Sequence, residues 1–243
     1  MAKRASAVIA TSPIEAEELA RLQRLTPIIV RRNGLDFAEF QTLPSRNVMR
    51  ERWHVGANEQ LVMYVGRISE KKNLHVLIEA FARAELADAR LVIAGPVSEP
   101  GYEERLRCQI AELRLASTVL IAGAVYDEEH RAALAAADLF VLPSLNENFG
   151  NAAAEAVAAN VPVLLTETCG IAPIIHGRAG LAVSLGVESL ADGLRQMLDP
   201  AMRDQMTARR EEVKRDLSWD EPIAQTIALY EQVIRENAEK LKS

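Results

Sequence analysis

Between residues 61 and 198 short apolar runs alternate with longer stretches of mixed character. The runs are LVMYV, RLVIAG, VLIAG, LFVLP, VPVLL and GLAV. Each is apolar almost throughout, as expected of parallel strands covered on both faces. Helical stretches separate them, near 74–87, 101–115, 128–137, 150–159 and 188–198, and two charged helices follow at about 200–217 and 221–241. Strand and helix in strict alternation predict an α/β fold built on a doubly wound parallel sheet. The main domain is expected over 46–218, with a separate opening segment over 1–45 and a terminal helix over 219–243.

The segment VLPSLNENFGNAAAEAVAANVPVL (141–164) carries the most chemistry. An apolar strand ends at Pro143 and Ser144, a turn follows, and an alanine-rich helix is predicted from about Gly150 to Ala159. The first turn of that helix has unpaired N–H groups and the positive end of its dipole, so residues 148–151 suit a phosphate. Gly150 lets an anion come close to the backbone. Glu147 lies just before the turn and Glu155 inside the helix. Two carboxylates therefore flank the anion site, and carboxylates accept paired hydroxyl hydrogen bonds well, which suits a ribose on one side and a hexose on the other. The spacing of the two glutamates is weak evidence alone; the strand, turn and helix around it make it specific.

A second element, LVMYVGRISEKKN (61–73), is a strand running into Gly66-Arg67 and a polar loop. Arg67 and Lys72 are expected at the carboxyl end of the strand, where open α/β sheets bind ligands. Two cations there would hold a diphosphate and neutralise it as it leaves. Alternatively Lys71 and Lys72 only solvate a loop and Arg67 pairs with Glu70.

GRISEKKN, LVIAGP, the E-x7-E stretch and the terminal LSWDEPIAQTIALYEQVI together resemble the family 4 retaining glycosyltransferases of the GT-B fold, over nearly the whole chain. The resemblance implies a Rossmann-like donor-binding domain. Arg67 and Lys72 would bind the donor pyrophosphate, Glu147 would lie at the donor sugar and Glu155 would hold the ribose. Gly66, Phe149, Gly150 and Asn151 would complete the donor site, with the base near Gly123 to Tyr126, at Val125 and Tyr126. A hexose would pass with retention from a UDP-, GDP- or ADP-sugar, with no cofactor or metal. The chain departs from the family at Asn73 and Asn148, where glycine is common, and at Cys169-Gly170-Ile171-Ala172-Pro173, which lacks the glutamate of many relatives. These departures bear on the sugar rather than the phosphates.

The same resemblance makes residues 1–45 a remnant of the amino-terminal acceptor domain and its linker, and 219–243 a crossover helix. Most of the acceptor domain is then expected to be missing, so the isolated chain would be weakly active or inactive. A partner chain or a second copy would supply the acceptor side and cover the short strands at 8–12 and 28–32, unless that segment rests on its own domain. The apolar face around Ile227, Tyr230 and Ile234 would lose its usual cover. The alternative reading is a non-catalytic nucleotide-sugar-binding subunit or regulator.

Composition narrows the field. With 243 residues and 49% hydrophobic content, the chain can bury one good core. A net charge of −6 without a basic stripe argues against nucleic-acid binding. Basic residues at 3, 4, 31 and 32 are too few to indicate membrane contact. No run approaches about eighteen apolar residues, and no signal-peptide pattern opens the chain, so a cytoplasmic protein is expected. Cys108 and Cys169 lack metal-ligand spacing. Cys169 reads as a space-filling residue on a turn facing the cleft, and the four histidines as surface or capping residues. No pyridoxal-binding lysine site for a phosphorylase, and no carboxylate and histidine set for a hydrolysing epimerase, is found. G-x-G-x-x-G, the mark of a dinucleotide oxidoreductase, is absent.

Overall fold

The computed structural model describes residues 5–22 and 26–240, so Lys3 and Arg4 of the basic cluster lie outside the described residues. The chain opens with β1 (Val8–Ala10), α1 (Pro13–Leu22) and β2 (Ile28–Val30), and β1 pairs with β2 in a two-stranded parallel sheet. A short helix not expected from the sequence, α2 (Asn47–Arg52), leads into the main domain. There β3 (Gln60–Val65), α3 (Leu74–Ala84), β4 (Ala89–Ala94), α4 (Tyr102–Glu112), β5 (Val119–Gly123) and α5 (Asp127–Ala136) follow in turn. Next come β6 (Leu139–Leu142), α6 (Asn151–Ala158), β7 (Val163–Thr166), α7 (Ala172–Ile175), β8 (Gly180–Val183) and α8 (Val187–Leu198).

The six strands form one parallel sheet in the order β5-β4-β3-β6-β7-β8. The order runs one way from β3 and the other way from β6, so the doubly wound prediction holds and the switch point lies between those two strands. A crevice opens there beyond the carboxyl ends of neighbouring strands. Helices α3, α4 and α8 pack as one layer, while α5 packs against α2 and β3, and α6 against β6 and β7. The central strands are dry on both faces: Leu61, Met63, Tyr64, Leu91, Ile93 and Phe140 have no exposed surface.

Packing changes the expected layout at α2 and in the charged helix before the last one. The helix expected over 200–217 is two, α9 (Pro200–Ala208) and α10 (Arg210–Asp216), broken where Arg209 leaves helical geometry (φ −108°, ψ 5°). The bend lets α10 pack on both α6 and α7. No glycine or proline marks it, so tertiary packing overrides local propensity. In α2 the charged run hides a structural residue. Arg50 is 6% exposed and donates to the carbonyls of Ala136, Gly56 and Glu59 and to Asp138, tying the amino ends of β3 and β6 together.

The opening segment rests on its own domain. Ser12 is fully buried, Glu15 of α1 accepts from the Asn148 amide (2.7 Å), and Glu18 accepts from Asn146 (3.1 Å). The following stretch is pinned to the start of the last helix, α11 (Asp220–Lys240), by Leu35 N–H donating to the Leu217 carbonyl (2.8 Å) and by Arg31 over the Trp219 ring. Along α11, Ile223, Ile227, Tyr230 and Ile234 are each more than half exposed. Among the described residues no helix is long and apolar enough to cross a membrane.

Candidate functional site

At the switch point the loop after β6 is built by hydrogen bonds to its neighbours. Leu145 N–H donates to the Lys71 carbonyl (2.9 Å), joining it to the loop after β3. Gly170 N–H donates to the Glu147 carbonyl (2.9 Å) and Ile171 N–H to that of Phe149 (2.8 Å). Gly170 is required here, because a Cβ would come within 2.0 Å of the Asn148 carbonyl oxygen and 2.5 Å of Ser12 Cβ. Phe149, 4% exposed, anchors the loop in the core. Its role in the site is therefore to fix the backbone.

Gly150 caps α6 with φ 112° and ψ 55°, a conformation open to glycine and strained for other residues. The N–H groups of Gly150, Asn151 and Ala152 have no hydrogen-bond partner among the described residues, whereas Ala153 N–H returns to the Gly150 carbonyl (3.0 Å). Three free donors at the positive end of a helix therefore face a cleft of about 460 Å³. Thr11, Asn33, Lys71, Lys72 and Glu147 also line it, so the opening segment contributes directly to the site.

The two charged groups nearest the helix terminus neutralise one another. Lys72 Nζ pairs with Glu147 Oε1, which also accepts from Ser144 Oγ (2.8 Å). The side chains are 15% and 17% exposed. Arg67 is exposed, and no described side chain hydrogen-bonds or ion-pairs with its guanidinium. Glu70 does not bind it, being paired with Arg105. The Arg67 carbonyl is held from below by the buried Tyr64 hydroxyl (2.8 Å), whose pKa burial pushes up. The Tyr64 ring also leaves no room for a side chain at Gly66, since a Cβ there would meet the hydroxyl oxygen at 2.8 Å.

Glu155 opens onto a separate cleft of about 360 Å³, shared with Asn33, Asn151 and Trp219. The Asn33 amide donates to Asn151 Oδ1 (3.2 Å) between the two clefts. Past β5, Val125 is buried and Tyr126 is 61% exposed. The structure thus gathers Lys72, Glu147, Gly150 and Asn151 tightly, sets Gly66 and Arg67 on the adjacent loop, and places Glu155, Val125 and Tyr126 further along.

Cys169 lies beneath the cleft rather than facing it. The residue is fully buried, and burial pushes its thiol up to about 11. One histidine is more than a surface or capping residue: His130 Nε2 lies 3.3 Å from Glu155 Oε2, within ion-pair reach though not aligned as a hydrogen bond. The sequence separates the two by a strand and two turns, and only their placement on successive helices of one layer could have linked them. No group of three His, Cys, Asp or Glu residues among the described residues could hold a metal ion.

The family model for glycosyl transferases group 1 matches residues 45–213. A D-inositol 3-phosphate glycosyltransferase of Nocardioides sp. is 31% identical over 93% of this chain and 53% of its own length. Sucrose-phosphate synthase from Thermosynechococcus elongatus superposes with a TM-score of 0.82 at 27% identity, over 96% of this chain and 59% of that one. Anabaena HepE, solved in complex with UDP and glucose, gives 0.81 at 26%, over 93% and 64%. The chain spans little more than half the length of such relatives.

Proposed function

This chain belongs to the glycosyl transferases group 1 family, and from that premise we propose that it is the donor-binding part of a retaining hexosyltransferase. The observation that carries the reading is that three free α6 amides and Lys72 line one cleft at the switch point, with the unpaired Arg67 exposed on the neighbouring loop after β3. Free amides at a helix terminus and flanking cations bind a diphosphate without a metal. That a neighbour of 26% identity was solved with UDP and glucose supports a nucleoside diphosphate sugar as ligand.

In this reading the diphosphate sits over Gly150 to Ala152, the ribose reaches Glu155, and the base lies by Val125 and Tyr126. The hexose lies toward Glu147. Its anomeric C–O bond breaks with the electron pair left on the phosphate oxygen, where Arg67, Lys72 and the α6 amides stabilise the charge. An acceptor hydroxyl forms the new C–O bond on the same face and gives its proton to that oxygen. Lys72 must turn partly from Glu147 to reach the phosphate, which frees the carboxylate for a sugar hydroxyl. Acceptor residues come from a further domain or a partner chain.

Calorimetric titration of the purified chain with UDP, GDP and ADP, and with the matching nucleosides, tests this. One diphosphate should bind, and Arg67→Ala should weaken it about tenfold or more while leaving the nucleoside nearly unchanged. Equal losses for diphosphate and nucleoside would remove Arg67 from the phosphate.

A further inference from the structure

We infer that His130 is a positioning residue that orients Glu155 toward a ribose hydroxyl; the inference rests on the donor-site reading above. Its backbone is locked to the base side of the cleft. Tyr126, the residue before α5, accepts at its carbonyl from Glu129 N–H (2.9 Å) and His130 N–H (3.2 Å). One helical turn therefore fixes the backbone of Tyr126 and that of His130 relative to each other.

The imidazole then meets the carboxylate. His130 Nε2 is 3.3 Å from Glu155 Oε2, and the two side chains are 29% and 26% exposed. Nε2 itself is cut off from solvent and has no aligned hydrogen bond. A bare nitrogen lone pair in that place would oppose the carboxylate lone pairs with no water between them. A proton on Nε2 turns the contact into attraction, and a small turn of either side chain brings the N–H into line with Oε2. Hydrogen bonds in such sites are often poorly aligned before a ligand arrives and tighten when it does.

Glu155 thus has His130 against one side and is open on the other to the cleft shared with Asn33, Asn151 and Trp219. With Oε2 engaged, Oε1 is left to accept from a ribose hydroxyl. Without the histidine the carboxylate samples several rotamers and must be ordered by the ligand, which weakens binding. The loss is specific: it falls on nucleotides that carry the hydroxyls and spares those that lack them. Loosened packing alone would weaken both alike.

The test uses His130→Leu, which removes the donor, and His130→Gln, which keeps one. Each is titrated with whichever of UDP, GDP and ADP binds the unmodified chain, and with its 2′,3′-dideoxy form. His130→Leu should weaken the ribonucleotide about tenfold, as for a hydrogen bond to a charged group, with little change for the dideoxy form. His130→Gln should recover most of that loss. Unchanged affinity in His130→Leu, equal losses for the two nucleotides, or no recovery in His130→Gln overturns the inference while the donor-site reading stands. An unmodified chain that binds both forms equally removes the ribose role of Glu155, and one that binds no nucleotide removes the donor-site reading; either overturns the inference as well.

Discussion

Replacing Lys72 by Met and Glu147 by Gln, singly and together, isolates the ion pair at the centre of the site. A fully buried pair costs about 3–5 kcal/mol when one partner is removed, and an exposed pair about 0–1. With side chains 15% and 17% exposed, the pair lies between these limits, so Lys72→Met should cost about 2 kcal/mol by stranding the carboxylate. Glu147→Gln should cost less, about 1 kcal/mol, because the amide oxygen still accepts from Ser144 Oγ and from Lys72. In the double variant the stranded charge is gone, and the cycle should give a coupling of about 1–2 kcal/mol. The assay is urea unfolding with its midpoint and slope, checked by melting. For a chain of this size each kcal/mol moves Tm by about 2–4 °C, so Lys72→Met should melt about 4–8 °C lower. A double variant whose loss equals the sum of the two single losses would refute the pair.

Three other outcomes are expected. Tyr102→Phe should destabilise by about 1–2 kcal/mol in urea titration, since the hydroxyl accepts from Leu74 N–H (3.0 Å) and His75 N–H (3.3 Å) where α3 begins and Asn73 supplies no side-chain cap; an unchanged midpoint would show that water replaces it. At pH 8 iodoacetamide should label the exposed Cys108 and spare the buried Cys169, whose thiol is pushed up to about 11, as peptide mass spectrometry would reveal; rapid labelling of Cys169 in the folded chain contradicts its burial. Glu59 is held below the usual carboxylate range chiefly by the Gly56 N–H and then, against the opposing effect of burial, by Arg90. Its stabilisation is therefore complete above the unfolded value of about 4.3 and lost as pH falls through the lower folded value. The stability gap between the protein and Glu59→Gln should stay constant above about pH 5 and close in acid; a gap that widens in acid would reverse the sign.

Much of this arrangement could be read along the chain because it is local. The apolar strand ending at Pro143-Ser144 and the alanine-rich helix from Asn151 are set by hydropathy and propensity, and the free amides at the helix start follow from their junction. Arg67 and Lys72 lie just past the end of β3, where the same strand-to-loop pattern puts them. The pairing of Lys72 with Glu147 was not legible, because it joins two loops across the switch point. Nor was α2, whose Arg50 looks like a surface charge until four acceptors are seen to enclose it. The break at Arg209 and the contact of His130 with Glu155 likewise come from packing between elements. The docking of the opening segment through Glu15 and Glu18 depends on the asparagines at 146 and 148, which lie far from them along the chain.

The central claim is that the start of α6 receives the diphosphate of a nucleotide. Amide chemical shifts followed during titration with UDP, GDP and ADP test it at the atoms concerned. The account predicts that the diphosphate that binds moves the signals of Gly150, Asn151 and Ala152 most, with smaller changes at the matching nucleoside. Binding that leaves those three amides unmoved, or that moves them equally with the nucleoside, would contradict it.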